Sequence, residues 1–434
     1  MIGYMSEAAE KSGTHCPETK FFPAQPETLE ETGLPVTLLE DLVLKHLLGR
    51  GVLSGRELSE VICIPYKILL PILTDLKNRM FVAHRTTAAM GDFYYNLTDQ
   101  GKQSAMTAKE YSSFTGAAPV VFKDYVKSVL QQSIRNLTAS VSNLKQAYAD
   151  IILDEGVLNT IGPAINSGRG IFLFGDPGNG KTTIAERIRN CFTDFIYIPN
   201  TLWVDGEIVQ LYDPQTHEII SDEPENKRDM RWLKIKRPFV VVGGELTMTS
   251  LDIRHNHTLK ICEAPLQLKA NGGTFLIDDF GRQRMSNKDL LNRWIVPLEK
   301  HFDFLVLPNG KKIQVPFDEL IIFSTNLNPK DLVDEAFLRR IPYKIEILSP
   351  SLEIFQRVFE YQCQKVGIPY DAEMFSYLIQ THYQDKRPFR TCHPRDILDQ
   401  VIHITTYQQV ERSLTKANLD IACKNYFAAL DSVQ

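Results

Sequence analysis

The sequence predicts an α/β protein in which a parallel β-sheet forms the main domain, with a smaller α+β domain before it and a helical region after it. Short apolar segments that end in glycine or polar residues alternate with helical patterns between residues 155 and 348, as buried parallel strands do. Apolar residues at helical spacing dominate residues 36–78 and the region after 349. A length of 434 residues also exceeds what one compact domain usually holds.

Composition excludes several classes of protein. The net charge of −5 argues against a surface built as a whole to attract nucleic acid or anionic membrane. The seven cysteines are scattered without a C-x-x-C pair, so they suggest neither a disulfide framework nor a zinc ribbon, and we expect a reducing, cytoplasmic location. No apolar run approaches the roughly 18 residues that cross a bilayer, and the N-terminus lacks a signal-peptide pattern. We therefore expect no membrane insertion.

The N-terminal third divides into three predicted parts. Residues 1–34 are rich in Pro, Glu, Thr and Ser and predict a disordered arm. Residues 35–110 show three helical patterns, then two β-prone runs joined by a Met-Gly-Asp turn and a polar helix. This order resembles a winged helix. Residues 111–154 predict a helical connector that leads into the main domain.

The charges of the winged-helix-like domain favour a protein-docking or packing role over DNA binding. Residues 35–105 contain eight basic and seven acidic side chains, a weak footprint for phosphate neutralisation. The centre of the third helix reads ILLPIL, where a helix that reads base edges would carry Arg, Asn or Gln. DNA binding remains the less favoured alternative.

The segment GIFLFGDPGNGKTTIAERI, residues 170–188, reads as an apolar strand, a glycine-rich loop and a helix. It satisfies the pattern G-x-x-x-x-G-K-[ST] of a P-loop, whose backbone N–H groups bind phosphates at the positive end of the following helix. We expect Lys181 to reach the β- and γ-phosphates of ATP and the Thr182 hydroxyl to bind Mg²⁺. The predicted nucleotide-binding residues of this segment are Gly175, Asp176, Pro177, Gly178, Asn179, Gly180, Lys181, Thr182 and Thr183.

Four later segments place polar or charged residues at the ends of predicted strands or helices, where they can take part in catalysis. GGTFLIDDFG places Asp278 at the end of a strand, where an aspartate holds the metal, with Asp279 beside it. FDELIIFSTNLNP ends a strand at Asn326, and DEAFLRRIPYKIEI places an arginine pair before another strand. RTCHPRDILDQV then opens a helix with Arg395 in its first turn.

The order of these motifs over residues 155–430 resembles that of the AAA+ ATPases. The resemblance implies that Asn326 is sensor 1, that Arg339 or Arg340 is an arginine finger acting on a neighbouring subunit, and that Arg395 is sensor 2. It also implies a nucleotide-binding core over 155–348, a helical lid over 349–434 and assembly into a ring, a hexamer by resemblance to that family. Which arginine is the finger stays open.

Three predicted insertions interrupt this core. The first is predicted to be a hairpin that turns at Asp205-Gly206, in TLWVDGEIVQLYDPQTHEII. A second hairpin is predicted with Asn309-Gly310 at its tip, in DFLVLPNGKKIQVPFDE. SLDIRHNHTLKICEAPLQLKANGG occupies the position of a core helix. Such elements are similar to those of the branch that holds the MoxR proteins, magnesium chelatase and bacterial enhancer-binding ATPases. The alternative is that they are surface loops without a function.

In the family that the motifs resemble, the residue after the metal-binding aspartate is usually a glutamate that polarises the attacking water, and this chain has Asp279 there. An aspartate carries the same charge but its carboxylate reaches about 1.3–1.5 Å less far, a misplacement of the size that costs around 100-fold in rate. Glu245 is a candidate partner to orient Asp279. We expect an ATPase that remodels a protein client, and two alternatives are a DNA-directed ATPase and a slowly hydrolysing nucleotide switch.

Overall fold

The computed structural model describes residues 21–221, 227–384 and 386–428. Most of the predicted arm, residues 1–20, lies outside these ranges. Residues 21–34 are not a disordered arm, because the Phe21 ring packs 5.2 Å from that of Trp232 and Leu34 is buried in the N-terminal core. Within the described ranges, no helix combines the length and the hydropathy that a bilayer crossing requires.

The N-terminal module contains the predicted helices and hairpin around one apolar core. The second of its main helices starts at a capping box, in which Ser54 Oγ accepts from Glu57 N and Glu57 Oε2 accepts from Ser54 N. The three-residue strand β1, Val52–Ser54, is too short to show an alternation of apolar and polar residues in the sequence. It pairs with β3, Phe93–Leu97, which also pairs with β2, Val82–Thr87, so that the antiparallel sheet has the order β1-β3-β2. The elements are α1 Leu29–Thr32, α2 Val36–Arg50, β1 Val52–Ser54, α3 Gly55–Ile62, α4 Tyr66–Asn78, β2 Val82–Thr87, β3 Phe93–Leu97 and α5 Asp99–Tyr111.

The segment predicted as a helical connector over 111–154 is only partly helical. It contains a two-residue strand that pairs in parallel with residues 202–203 of the first insertion, a contact that only the tertiary fold creates. Its elements are β4 Val120–Val121, α6 Phe122–Gln131 and α7 Val141–Ala147.

Residues 155–348 form the α/β core with its insertions. The elements are α8 Glu155–Asn166, β5 Ile171–Phe174, α9 Lys181–Ile188, β6 Phe195–Pro199, β7 Thr201–Val204, β8 Glu207–Gln210, β9 Trp232–Lys236, β10 Phe239–Val242, β11 Arg254–Asn256, β12 Ile261–Glu263, α10 Leu266–Ala270, β13 Thr274–Ile277, α11 Asn287–Lys300, β14 Phe302–Val306, β15 Lys312–Pro316, β16 Leu320–Thr325, α12 Pro329–Leu332, α13 Glu335–Leu338 and β17 Tyr343–Glu346.

Five of these strands form a parallel sheet of order β10-β13-β16-β5-β17. Strands β5, β13 and β16 consist almost entirely of buried apolar residues, as strands covered on both faces do. Strand β10 lies at the sheet edge and exposes Val241. The carboxyl ends of β5, β13 and β16 meet at one edge of the sheet, which becomes the site described below.

The two hairpin insertions and helix α6 share one apolar core, so the hairpins are not separate surface loops. Leu202 and Val209 of the first hairpin, Tyr125 of α6, and Leu305 and Val315 of the second hairpin all belong to it. The hairpin tips also meet: Lys311 Nζ lies 3.5 Å from Asp205 Oδ1, and Asn309 Nδ2 donates to Asp205 O at 3.3 Å. We call this unit of α6, β4, β6–β9, β11, β12, β14 and β15 the insertion body.

The N-terminal module is joined to the insertion body by apolar and backbone contacts. Ile208 and Ile261 of the insertion body are buried in the core of the N-terminal module. Ser113 N donates to Leu259 O at 3.0 Å, and Ala118 N donates to Ile62 O at 2.7 Å. The module is therefore connected to the α/β core through a packed unit.

The lid is a bundle of helices around a separate apolar core, as predicted from helical spacing. Its first helix starts at Ser351, whose side chain caps it, and ends at Gly367 with a left-handed φ of 74°. The helices are α14 Leu352–Val366, α15 Ala372–Leu378, α16 His393–Gln408 and α17 Lys416–Phe427.

Adjacent valines in β10 test the position of this strand at the sheet edge. Val240 is 2% exposed and Val241 is 46% exposed. We predict that Val240→Ala lowers stability by about 2 kcal/mol, because it removes buried methyl groups and leaves a cavity. Val241→Ala is the matched control and should change stability by less than about 0.5 kcal/mol. Urea unfolding followed by circular dichroism measures both, and equal losses would contradict the placement of β10.

Candidate functional site

The P-loop follows β5 and needs its glycines for backbone reasons. Gly178 and Gly180 have φ of 81° and 82°, in the left-handed region that favours glycine. Gly175 has φ of 134°, and a Cβ there would lie 2.5 Å from the carbonyl oxygen of Ile347. These positions let the loop turn tightly between the strand and helix α9, whose N-terminus attracts phosphate.

The Lys181 ammonium lies inside this loop. Its Nζ donates to the carbonyl oxygens of Gly175 and Asp176, both at 2.9 Å. Burial lowers the pKa of Lys181, and the carboxylates of Asp278 and Asp176 oppose that shift. A phosphate that replaced the two carbonyls would supply a charged acceptor to this partly desolvated cation.

Thr182 and Asp278 come together at the predicted metal position. Thr182 Oγ1 donates to Asp278 Oδ2 at 2.9 Å and lies 3.1 Å from Oδ1. A hydroxyl and a carboxylate are the oxygen ligands that Mg²⁺ prefers. The residues present therefore fit the ion that the sequence predicts.

Asp279 is held by Asn326 and by the backbone around it. Asn326 Nδ2 donates to Asp279 Oδ1 at 3.3 Å, and Asp279 N donates to Asp278 Oδ1 at 3.0 Å. Asp279 has a left-handed φ of 48°, and Gln283 Nε2 lies 3.2 Å from its carbonyl oxygen and from that of Asp278. Sequence reasoning missed Gln283, which no motif marks.

Glu245 does not have the role that its position in the sequence suggested. Its Oε1 accepts from Gly243 N at 2.8 Å, so the carboxylate folds back on its own loop. This N–H group lowers the pKa of Glu245. Asn326, not Glu245, is the side chain that contacts the Asp279 carboxylate.

A cavity of about 730 Å³ lies over the P-loop. It combines the end of the parallel sheet with residues of the lid, so that the core and the lid both form its wall. Gly175 and Asp176 line instead a second cavity of about 450 Å³ on the other side of the loop. The predicted site residues that line the first cavity are Pro177, Gly178, Asn179, Gly180, Lys181, Thr182, Thr183, Asp278, Asp279, Asn326 and Arg395.

One wall of the larger cavity contains side chains that the sequence did not point to. Ile151 and Leu153, from the segment before α8, line it together with Val358 and Tyr361 of α14. Arg187 of α9 donates to Asp150 at 2.7 to 3.1 Å, and this bond fixes the segment to the P-loop helix. Apolar and aromatic side chains beside a phosphate-binding loop suit the base of a nucleotide.

The lid contacts the P-loop through three consecutive residues. Arg390 Nη1 donates to Asp176 Oδ2 at 2.6 Å, Thr391 Oγ1 donates to Gly178 O at 2.9 Å, and Cys392 N donates to the same carbonyl at 3.0 Å. Arg395, the predicted sensor 2, lines the cavity and pairs with Asp396 at 2.8 Å. Arg390 was not among the predicted site residues.

Arg339 and Arg340 do not line the cavity over the P-loop. They border a separate cavity of about 440 Å³ with Arg169, Glu299 and His301. Arg339 is 77% exposed and pairs with Glu335 at 2.7 Å. Arg340 is 23% exposed and pairs with Glu299 at 2.8 Å. A role of either arginine in a neighbouring subunit's site stays a prediction.

Comparisons with known proteins return limited similarity. A family model described as a domain of unknown function, DUF8689, matches residues 351–425 of the lid. No curated protein matches the sequence. One similar solved structure, of the complex between BchI and BchD of magnesium chelatase from a 7.5 Å cryo-EM reconstruction, has a TM-score of 0.32 at 15% identity and covers 68% of this chain and 95% of that chain. The RuvB Holliday junction branch migration motor of Thermotoga maritima gives 0.38 at 12% identity, over 63% of this chain and 69% of that chain.

TM-scores and identities this low carry no argument about activity. The fold follows from the sheet and the loop themselves. The chain has a P-loop α/β fold. The predicted α/β class, with a parallel sheet and a C-terminal helical region, is confirmed.

Two glycines with the same backbone conformation test the contact between lid and P-loop. A Cβ at Gly178 would lie 2.7 Å from Cys392 Sγ, whereas one at Gly310, with φ of 82°, would meet nothing within 4 Å. Each alanine carries the left-handed strain of about 1–2 kcal/mol. We predict that Gly178→Ala weakens nucleotide binding at least tenfold and that Gly310→Ala leaves it unchanged, measured by titration with a fluorescent ATP analogue. Equal affinities would show that the lid loop does not constrain Gly178.

Proposed function

We propose that this chain is a ring-forming AAA+ ATPase that hydrolyses MgATP and uses the cycle to remodel a protein partner. The observation that carries this proposal is the single cavity in which the P-loop, Asp278, Asp279, Asn326 and the lid arginine Arg395 converge. These groups come from four separate segments of the sequence, and together they supply the phosphate, metal, water and lid contacts that ATP hydrolysis needs.

Each group has a role that its position supports. When bound, Mg²⁺ would be held by Thr182 and Asp278 and would neutralise charge on the β- and γ-phosphates. Lys181 binds phosphate oxygens after leaving the carbonyls of Gly175 and Asp176. The Asp279 carboxylate orients the attacking water, and Asn326 holds that carboxylate by its hydrogen bond. Arg395 approaches the nucleotide from the lid.

The conformation of Asp279 supports hydrolysis over a passive switch. A left-handed φ at a residue other than glycine costs about 1–2 kcal/mol and persists only when its surroundings enforce it. Here the bonds from Asn326 and Gln283 hold that conformation. This backbone conformation offers a way for the shorter carboxylate to be repositioned.

The exposure of Arg339 supports it as the arginine finger. An arginine that acts on a neighbouring nucleotide must extend from the surface of its own subunit. Arg339 is exposed, and its partner Glu335 is on the same short helix, so the pair is a weak surface ion pair. Arg340 is more buried and bonded to Glu299 of α11. We assign the finger to Arg339 and a packing role to Arg340.

The surface of α4 supports a protein partner over DNA. This helix occupies the recognition position of the winged-helix-like module, and its exposed face mixes Leu70, Thr74 and Asp75 with two lysines. Lys67 lies 3.8 Å from Glu27, and Arg79 is paired with both Glu40 and Asp75. Cations already opposed by carboxylates contribute little phosphate neutralisation.

Asn326 and Asn328 provide a matched pair for the catalytic role. Asn326→Ala removes the hydrogen bond to Asp279 and should lower the ATPase kcat about 10- to 100-fold with little change in nucleotide affinity. Asn328 caps α12 and lies outside the main cavity, so Asn328→Ala should retain turnover. Steady-state phosphate release measures both. Equal effects of the two substitutions would remove the assigned role from Asn326.

Mixed rings test whether Arg339 acts between subunits. Lys181→Ala destroys a subunit's own site and Arg339→Ala destroys its neighbour's, so each homogeneous variant should lose at least about 1000-fold in turnover. Mixing the two should restore part of the activity, because some interfaces then combine an intact P-loop with an intact finger. Lys181→Ala mixed with Lys181→Ala/Arg339→Ala is the control and should stay inactive. Absence of recovery would contradict a finger at Arg339.

Binding of duplex DNA by the full chain tests the choice of partner. We predict no duplex binding below about 10 µM at 150 mM salt, measured by fluorescence anisotropy with a labelled 30-base-pair duplex. Submicromolar binding that falls steeply between 50 and 200 mM salt, and that is lost in Lys67→Glu/Lys77→Glu, would favour the DNA-directed alternative.

A further inference from the structure

The contact between Arg390 and Asp176 joins parts of the chain that must separate when nucleotide enters or leaves. Asp176 is the first residue of the P-loop after Gly175, and Arg390 belongs to the loop before α16 of the lid. Arg390 Nη1 lies 2.6 Å from Asp176 Oδ2 and 2.9 Å from Ser349 Oγ, at the junction of core and lid. One guanidinium therefore connects the P-loop, the junction and the lid.

We propose that the Asp176–Arg390 pair is a latch that holds the lid on the P-loop and sets the rate at which nucleotide leaves the cavity. Arg390 acts in it as a positioning residue, distinct from Arg395. This inference rests on the proposed nucleotide site and adds the control of exchange to it.

The geometry of the neighbouring contacts supports a latch. Thr391 and Cys392 donate to the carbonyl oxygen of Gly178, which leaves N–H groups of the loop available for phosphate. Val358 and Tyr361 of the lid form part of the cavity wall, so a lid that swings away from the P-loop opens the cavity to solvent. The latch thus closes the cavity without occupying the phosphate position.

Arg390 is the more buried member of the pair with Asp176. Arg390 is 17% exposed, whereas Asp176 is 62% exposed. Both bonds are donated by one nitrogen, Nη1, whose two N–H groups lie in the plane of the guanidinium. Their directions are therefore fixed in a way that those of a freely rotating lysine ammonium are not. The exposure of the carboxylate limits the pair to a modest contribution, as a reversible contact requires.

Asp176 also connects the latch to phosphate. Its carbonyl oxygen accepts from Lys181 Nζ at 2.9 Å, while its carboxylate binds Arg390. When Lys181 moves onto a phosphate, the residue that holds the lid loses one of its two cationic partners. Occupancy of the phosphate site therefore acts directly on the residue that anchors the lid.

Dissociation of methylanthraniloyl-ADP from the full chain, followed by stopped-flow fluorescence, tests the latch. We expect Arg390→Gln and Asp176→Asn each to speed dissociation about fivefold, the size of one partly exposed ion pair. The double variant should be no faster than either single variant, because the two substitutions remove the same contact. Arg390→Lys should fall between Arg390→Gln and the unchanged protein.

Arg412→Gln is the matched control, an exposed arginine in the loop between α16 and α17, and should leave the rate unchanged. Dissociation rates that are unchanged in either single variant, or that multiply in the double variant, would overturn the latch while nucleotide binding itself persists. Failure of the unchanged protein to bind the nucleotide would instead overturn the proposed function, and the latch with it. Circular dichroism of each variant identifies any loss of folding.

Discussion

The hydrogen bonds between Thr182 and Asp278 depend on the parallel register of the sheet. Thr182 follows β5 and Asp278 follows β13, and these two strands lie on either side of β16. The side chains meet across β16 because Ile277 pairs with Phe323, and Phe174 pairs with Thr325 two residues further along β16. A shift of one strand would separate Thr182 of the P-loop from Asp278 and would move Asn326 away from Asp279.

A second constraint connects this site to the N-terminal module. The second hairpin of the insertion body lies between α11 and β16, and β16 ends next to Asn326. The same hairpin shares an apolar core with the first insertion, which in turn contributes Ile208 to the N-terminal module. Packed interiors transmit displacement because they tolerate little local compression. A change at the phosphate end of the sheet therefore has a packed route to the module.

The sequence predicted the parts of the fold that depend on local pattern. The P-loop, the buried strands and the capped helices each follow from short-range spacing. Strand β4 and the shared core of the insertion body depend on residues far apart in the chain, so no periodicity indicates them. The site shows the same division: motifs predicted Lys181 and Asp278, whereas Gln283 and Arg390 act through contacts that only the folded chain creates.

Steady-state ATPase activity against protein concentration, for the unchanged chain and for Asp279→Asn, tests the central claim most directly. If catalysis needs an arginine from a neighbouring subunit, specific activity must rise cooperatively with concentration as rings assemble. We expect that rise for the unchanged chain, and we expect Asp279→Asn to lose at least about 100-fold in ATPase activity. Tight ATP binding with turnover no faster than that of Asp279→Asn at any concentration would contradict it and would identify a nucleotide switch.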